Sequence, residues 1–236
     1  MFNFLKRQIN LSVVDYSFDH IGKKSLRPNY SYKFLPKWFK NSKNFYTAVF
    51  NDVSLDISTA RACPAIKNNI LRGLIIPLWT DLNIKIYPDK TFRYISRVNS
   101  DQLVKGHDPS SLVGLYDPEK WLHLKINSPW GIKSDTPCQF MFTEVISDFS
   151  YLDKMKVIPG IVDYSSDTHS THIQLLFKIE KEPYQINLKA CDPIVQIIPL
   201  SEKKLKINYI EDKNHEMVLK YHHDIKHAFH SNHKIK

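Results

Sequence analysis

The sequence lacks most of the residues that announce a chemistry. Its three cysteines, Cys63, Cys138 and Cys191, are odd in number and far apart. That excludes a disulfide framework and any CxxC zinc or redox motif. They read as single buried thiols in a reducing compartment. Glycine is scarce, with only 6 residues, so most turns fall to the 13 prolines and to Asn, Asp and Ser. No apolar run approaches a membrane span; Leu74 to Trp79 is among the longest. Lys6 and Arg7 interrupt the N-terminus too early for a signal peptide. There is no Gly-x-Ser-x-Gly, no Walker motif, no dinucleotide fingerprint and no HExxH. These absences argue against the common hydrolases, kinases, dehydrogenases and zinc proteases. They leave room for a site assembled from strands distant in sequence. The sequence therefore predicts a soluble, cytoplasmic protein with no membrane partner and leans away from enzyme.

Acidic residues are also scarce at one end. Residues 1–50 hold nine Lys or Arg against Asp15 and Asp19, within a chain of net charge +9. Phe2, Phe4, Tyr16, Phe18, Tyr30, Tyr32, Phe34, Trp38, Phe39, Phe45 and Tyr46 are interleaved with them. Such a segment can neutralise phosphates and stack on bases. It can equally pack its aromatics on a core and leave its lysines in water. With no nucleic-acid motif beside it, the second reading is preferred. The expected partner of this basic arm is an acidic protein or a nucleic acid.

What is present is β grammar. Hydrophobic residues make up 42% of the 236 and aromatics 12%, which suits sheets. From Trp121 onward, strands are expected at 121–127, 138–146, 154–162, 170–180, 183–189, 193–198 and 203–210, with no helical stretch between them. Leu11 to Tyr16 reads as a short strand, and Asn29 to Asn44 as irregular. Residues 74–79 and 82–86 read as a broken strand with a bulge or edge at Pro77, followed by a hairpin partner at Phe92 to Val98. Residues 99–119 read as a polar loop. Pro64 at a first helical position and Gly73 as a C-cap frame a short helix. A closing helix is expected over about 213–229, with Val218, Tyr221, Ile225 and Phe229 as its apolar stripe. The fold class expected is mainly β, an antiparallel sandwich or β-clip-like barrel with a short helix near 64–72 and a C-terminal helix. Its parts are a basic aromatic arm (1–50), a β domain (51–210) and a C-terminal helix with a basic tail (211–236). Period-2 placement predicts a core of Leu124, Ile126, Phe140, Phe142, Ile161, Leu175, Phe177, Ile186, Val195 and Ile197. Trp130, after Pro129, reads as a packed corner. Gly160 is expected at a close approach that a side chain would obstruct.

Candidate site residues are few. Asp163 follows the Pro159-Gly160 turn and reads either as a general base or as an acceptor of local backbone amides. His169 and His172 lie close by with Asp167, and His172 shares a strand face with Gln174. His107 and His123 are pocket candidates. Alternation of Trp121, His123 and Lys125 against Leu122, Leu124 and Ile126 places His123 outward, on the solvent face or in a cleft. His223, His227 and His230 share one face of the closing helix at spacings that can bind zinc or nickel weakly. No cofactor is expected; a divalent metal belongs only to the alternatives.

Two resemblances add to this. Leu-Pro-Lys-Trp-Phe-Lys (35–40), Ala-Cys-Pro-Ala-Ile (62–66), Gly73 through Asp81, Ser-Pro-Trp-Gly-Ile (128–132), Pro-Gly-Ile-Val-Asp (159–163) and Pro-Ile-Val-Gln-Ile-Ile-Pro (193–199) occur in that order. Together they resemble an uncharacterised family of tailed-bacteriophage and bacterial proteins. The resemblance implies a phage-associated binding or accessory protein in the host cytoplasm rather than a reaction. Gly160-Ile161-Val162-Asp163, followed by Asp192 through Ile198, is similar to the nucleotide-pocket hairpin and closing strand of dUTPases. That similarity implies a β-clip fold and would give Asp163 the attacking water. The family's Arg-Ser-Gly motif is missing, since Thr143-Glu144-Val145-Ile146-Ser147 follows Phe142, and Cys191 stands where its closing strand has Gly. The implied alternative is a dUTPase-like nucleotide-binding protein or degenerate hydrolase. A metal-dependent, cupin-like enzyme is the other alternative, though Thr168 to His172 does not supply a His-x-His pair.

Overall fold

The structure is a computed structural model that describes residues 8–16, 24–97, 103–108, 110, 113–148, 153–165 and 169–211, without the side chains of 169, 170 and 211. The described residues begin with β1 (Gln8–Asp15), the short β2 (Asn29–Tyr30) and helix α1 (Lys37–Asn41). A hairpin of β3 (Phe45–Phe50) and β4 (Val53–Ser58) leads to helix α2 (Pro64–Leu71). Next come β5 (Leu74–Pro77), β6 (Leu82–Ile86), β7 (Phe92–Ser96), β8 (Val104–Gly106) and β9 (Trp121–Ile126). Then follow β10 (Trp130–Ser134), β11 (Gln139–Glu144), β12 (Met155–Val157), β13 (Gly160–Asp163) and β14 (His169–Ser170). The last four strands are β15 (Ile173–Lys178), β16 (Tyr184–Leu188), β17 (Pro193–Pro199) and β18 (Lys204–Glu211).

The architecture is mainly β, of the sandwich class, with no closed barrel among the described residues. The strand orders are β14-β10-β1-β18, β13-β11-β17-β5-β2, β12-β15-β9-β8, β16-β6-β7 and β3-β4. One apolar cluster joins the first four sheets: Leu11 and Ile132, Phe140 and Ile197, Leu124 and Phe177, Ile84 and Ile186 all belong to it. Most strands after Trp121 fall where alternation puts them, but β10 lies outside the expected runs, and the run expected over 154–162 divides into β12 and β13, which belong to different sheets. Nine of the ten expected core residues are buried, and Ile161 is the exception at 62% exposed. Ile161 sits on β13, the edge of its sheet, where three of four residues are exposed. Edge position, rather than periodicity, sets its environment.

Other expectations change. Gln8–Asp15 is an interior strand, antiparallel to β10 and parallel to β18, with Ile9, Leu11 and Val13 buried. Of the basic segment's aromatics, Tyr16 and Phe39 are buried, whereas Tyr32, Phe45 and Tyr46 are exposed. The segment read as irregular holds β2, a 3-10 turn at Ser31–Phe34 and α1. Backbone N–H groups of Lys37 and Trp38 donate to the Asp148 carboxylate, which caps α1 and ties it to the body. Trp130 is fully buried as expected, but it opens β10 rather than marking a corner only. The polar loop contains β8. The cysteines are free but not buried: Cys63 and Cys138 are intermediate and Cys191 is exposed. The closing helix, with His223, His227 and His230, lies outside the described residues.

Helix α2 has the signals expected of it. Pro64 stands in its first turn, and Gly73 follows the C-cap Arg72 with φ +78°. A helix end leaves carbonyls without partners. Here the buried Gln196 of β17 donates from Nε2 to the Asn69 carbonyl at 2.6 Å and the Arg72 carbonyl at 2.8 Å. Ser31 Oγ donates to Arg72 as well, at 2.8 Å. Pro77 marks a bulge, since the β5–β17 register shifts between Pro193 and Val195.

Close approach occurs at Gly73 and Gly131, not at Gly160. A Cβ on Gly73 would overlap the Ile197 carbonyl oxygen, and one on Gly131 would overlap the Tyr16 ring. Nothing lies within 4 Å of a Cβ built on Gly160. Gly73→Ala therefore loses about 3 kcal/mol or more, from overlap plus positive φ, whereas Gly160→Ala stays within about 0.5 kcal/mol. Urea unfolding of the two variants checks the contrast.

Candidate functional site

The sheet β12-β15-β9-β8 has two faces. Leu122, Leu124 and Ile126 point into the core with Ile173, Leu175 and Phe177. The opposite face carries the alternate set. Lys125 of β9 stands opposite Gln174 of β15 on one side and Lys105 of β8 on the other. Directly opposed residues share a face, so His123, Lys125, Lys105 and Gln174 gather on one surface.

His107 completes this surface from the residue after β8. Its backbone N–H donates to the His123 carbonyl at 3.0 Å, which brings the chain back across β9. The two imidazoles stack with centroids 4.3 Å apart and planes 14° from parallel. His123 Nε2 meets Gln174 Oε1 at 2.8 Å. An amide oxygen accepts, so Nε2 carries the hydrogen and Nδ1 keeps its lone pair. His172 joins from the segment before β15, where its Nδ1 accepts the Ser128 backbone N–H at 3.2 Å. Its neutral form therefore carries the hydrogen on Nε2. Nδ1 of His123 and Nε2 of His107 are buried, with no hydrogen-bond partner among the described residues.

This environment keeps the histidines neutral. Burial is the largest cause at all three. Lys125 adds charge repulsion at each of them, and Lys105 adds it at His172, which is pushed from 6.5 down to about 4. Lys125 is itself lowered, by burial and then by Lys105. Neutral imidazoles beside two ammonium groups suit an anion, which accepts from N–H donors and offsets the lysine charges. They suit a cation poorly. Among the described residues no three His, Cys, Asp or Glu side chains are placed to hold a metal ion.

His123 was expected outward. Its face is the one that alternation assigns, but it is buried beneath His107 at 8% exposed. The structure brings His107, His123 and His172 to one sheet and leaves Asp163 and His169 elsewhere. Asp163 lies exposed on β13, paired to Gln139 in the five-stranded sheet. Its Oδ1 accepts the Ser165 backbone N–H at 2.8 Å, the second of the two roles its position suggests. His169 pairs in backbone register with Ile132 on β14. A separate open depression of about 200 Å³ is lined by Asp81, Asn83, Ser96, Arg97, Asn187 and Lys189. Asp81 is engaged there by the Ala190 N–H at 3.0 Å and by Arg97 at 3.2 Å. Lys105 escapes sequence reasoning because it falls in the stretch read as loop. Gln174 and Lys125 are visible as face-mates of His172 and His123, but not as a pair.

Comparison with family models, with curated proteins and with solved structures finds no match.

A buried histidine with a lowered pKa binds fewer protons folded than unfolded between its two values. Its contribution is complete above pH 6.5 and is lost as pH falls toward about 4. His172 should thus make stability fall across that window by up to about 3 kcal/mol. His172→Gln should flatten the slope in urea melts at a series of pH values.

Proposed function

We propose that this protein is a binding protein, not a catalyst, that holds an anionic ligand on the β8–β9–β15 face. The observation that carries the reading is the buried Nε2 of His107 in the stacked His107–His123 pair, without a partner among the described residues and beside half-buried Lys125 and Lys105. A phosphate or carboxylate group accepts from a His107 N–H and is attracted by both ammonium groups. His123, fixed by Gln174, orients the pair. An accessory role in a phage-associated, cytoplasmic setting is the companion of this reading. The order of the motifs from 35 to 199 supports the setting, and three free thiols suit a reducing compartment. No helix among the described residues is long and apolar enough to cross a membrane. The turn role of Asp163 argues against a working dUTP hydrolase, because its Oδ1 is engaged by a backbone amide rather than offered to water.

Thermal unfolding with inorganic phosphate, pyrophosphate and dUTP tests the proposal. At about 100 times its Kd a ligand adds about 2.7 kcal/mol, enough to raise Tm by several degrees. Phosphate or pyrophosphate should do so in the parent protein and fail to do so in a Lys105→Ala, Lys125→Gln variant. dUTP should remain intact in the same samples. No shift with any anion, or a shift that persists in the double variant, overturns the assignment.

A further inference from the structure

The β3–β4 hairpin has a composition unlike the rest of the chain. Residues 45–58 read Phe-Tyr-Thr-Ala-Val-Phe-Asn-Asp-Val-Ser-Leu-Asp-Ile-Ser, with Asp52 and Asp56 but no Lys or Arg. The chain as a whole carries +9. Asn51 and Asp52 turn the hairpin with φ +47° and +63°, as a two-residue turn requires. Among the described residues no other strand pairs with β3 or β4.

Register divides the hairpin's side chains into two faces. Tyr46 stands opposite Ile57, Ala48 opposite Leu55 and Phe50 opposite Val53. All six are apolar and share one face. The other face is mixed. It sets Phe45 against Ser58, Val49 against Ser54, and Thr47 against Asp56, the last pair joined by a hydrogen bond from Thr47 Oγ1 to Oδ1 at 2.9 Å. On the apolar face Tyr46, Phe50, Val53 and Leu55 are each 49–56% exposed. A two-stranded ribbon is marginal alone in water, and an apolar face of this kind drives association.

Charge identifies the occupant. The tip carries Asp52, while Lys37, Lys40 and Lys43, all exposed, precede the base. The apolar face is therefore bounded by an acid at the tip and by lysines beyond the base, while Asp56 lies on the other face with Thr47. An identical ribbon laid over it in the opposite direction meets each of these regions with its complement. We propose that the hairpin is a self-association surface, on which a second copy of this chain packs its own hairpin face to face about a two-fold axis running across the strands. Asp52 of each copy then lies near Lys43 and Lys40 of the other. Phe50 and Val53 cover Tyr46 and Ile57, and the small Ala48 sits at the axis. Such an isologous contact closes on itself and does not propagate into filaments. The anion-binding reading uses other strands, and neither proposal depends on the other.

Sedimentation velocity on the full chain over a concentration series tests this. The expected result is a monomer–dimer equilibrium that weakens by roughly tenfold or more in Phe50→Glu and in Leu55→Glu. Both sites are exposed, so thermal melting should be unchanged, and two variants guard against either one misfolding. Asp52→Lys should weaken the dimer, and adding Lys43→Glu should restore part of the loss, as expected of a coupled pair. A monomer at every concentration overturns the proposal. So does a dimer indifferent to Phe50→Glu and Leu55→Glu, and so does the absence of rescue in the charge-swapped pair.

Discussion

At Gly73 the backbone passes so close to the Ile197 carbonyl that no side chain fits between them. This crossing is where helix α2 ends, β5 begins and β17 runs past. The neighbouring Gln196 is 1% exposed; its amide closes the helix carbonyls and donates to Ser31 Oγ at 3.3 Å, while Ser31 donates to the same Arg72 carbonyl. A buried amide left unpaired costs more than the hydrogen bond it would make. The network therefore admits one arrangement of four chain segments. With β17 fixed, β11 and β5 take their places on either side of it. The largest sheet is built outward from this point.

Much of this is legible in the sequence because it is local. Pro64 and Gly73 bracket α2, Pro77 marks a bulge, and alternation finds most strands after Trp121, though neither β10 nor the division of 154–162 between two sheets. What is not legible depends on distant partners. Gln8–Asp15 reads only in part as a strand, from Leu11, in a basic segment, and only pairing with β10 and β18 makes it interior. Ile161 keeps its period but lies on an edge, which periodicity does not report. Gly160 stands in a turn that suggests crowding, yet Gly131 is the crowded residue, because Tyr16 comes from more than a hundred positions away. The β3–β4 hairpin escapes a sequence reading. Its strands are apolar on one face, but the Asn51-Asp52 turn is a weaker signal than Asn-Gly.

The same division holds for the site. Strand alternation alone places His123 with Lys125, and His172 with Gln174. Joining the two pairs requires the β9–β15 register, which brings His123 to Gln174 across 51 positions and is set by which side chains fill the core. β8 is only Val104–Gly106, too short to have a pattern of its own, so Lys105 stays hidden and His107 shows only as a loop histidine with no strand to place it. Burial of His123 follows from a ring that stacks on it from that same strand end. Asp163 draws attention through its neighbours in sequence, and its neighbours in space give it a turn to hold.

The parallel pairing of β1 with β18 has a consequence for how the chain is made. Gln8 lies in register with Lys204, so the first described strand and the last are neighbours. A ribosome adding about 5–20 residues per second separates their emergence by roughly 10–40 s. Through that interval Ile9, Leu11 and Val13 lack the neighbour that completes their sheet. β10 emerges earlier and can hold one side of β1, but the other side must stay open until β18 has been made. Contacts of such sequence separation also carry a high loop-closure cost. The nascent chain thus exposes an apolar strand edge for most of its synthesis.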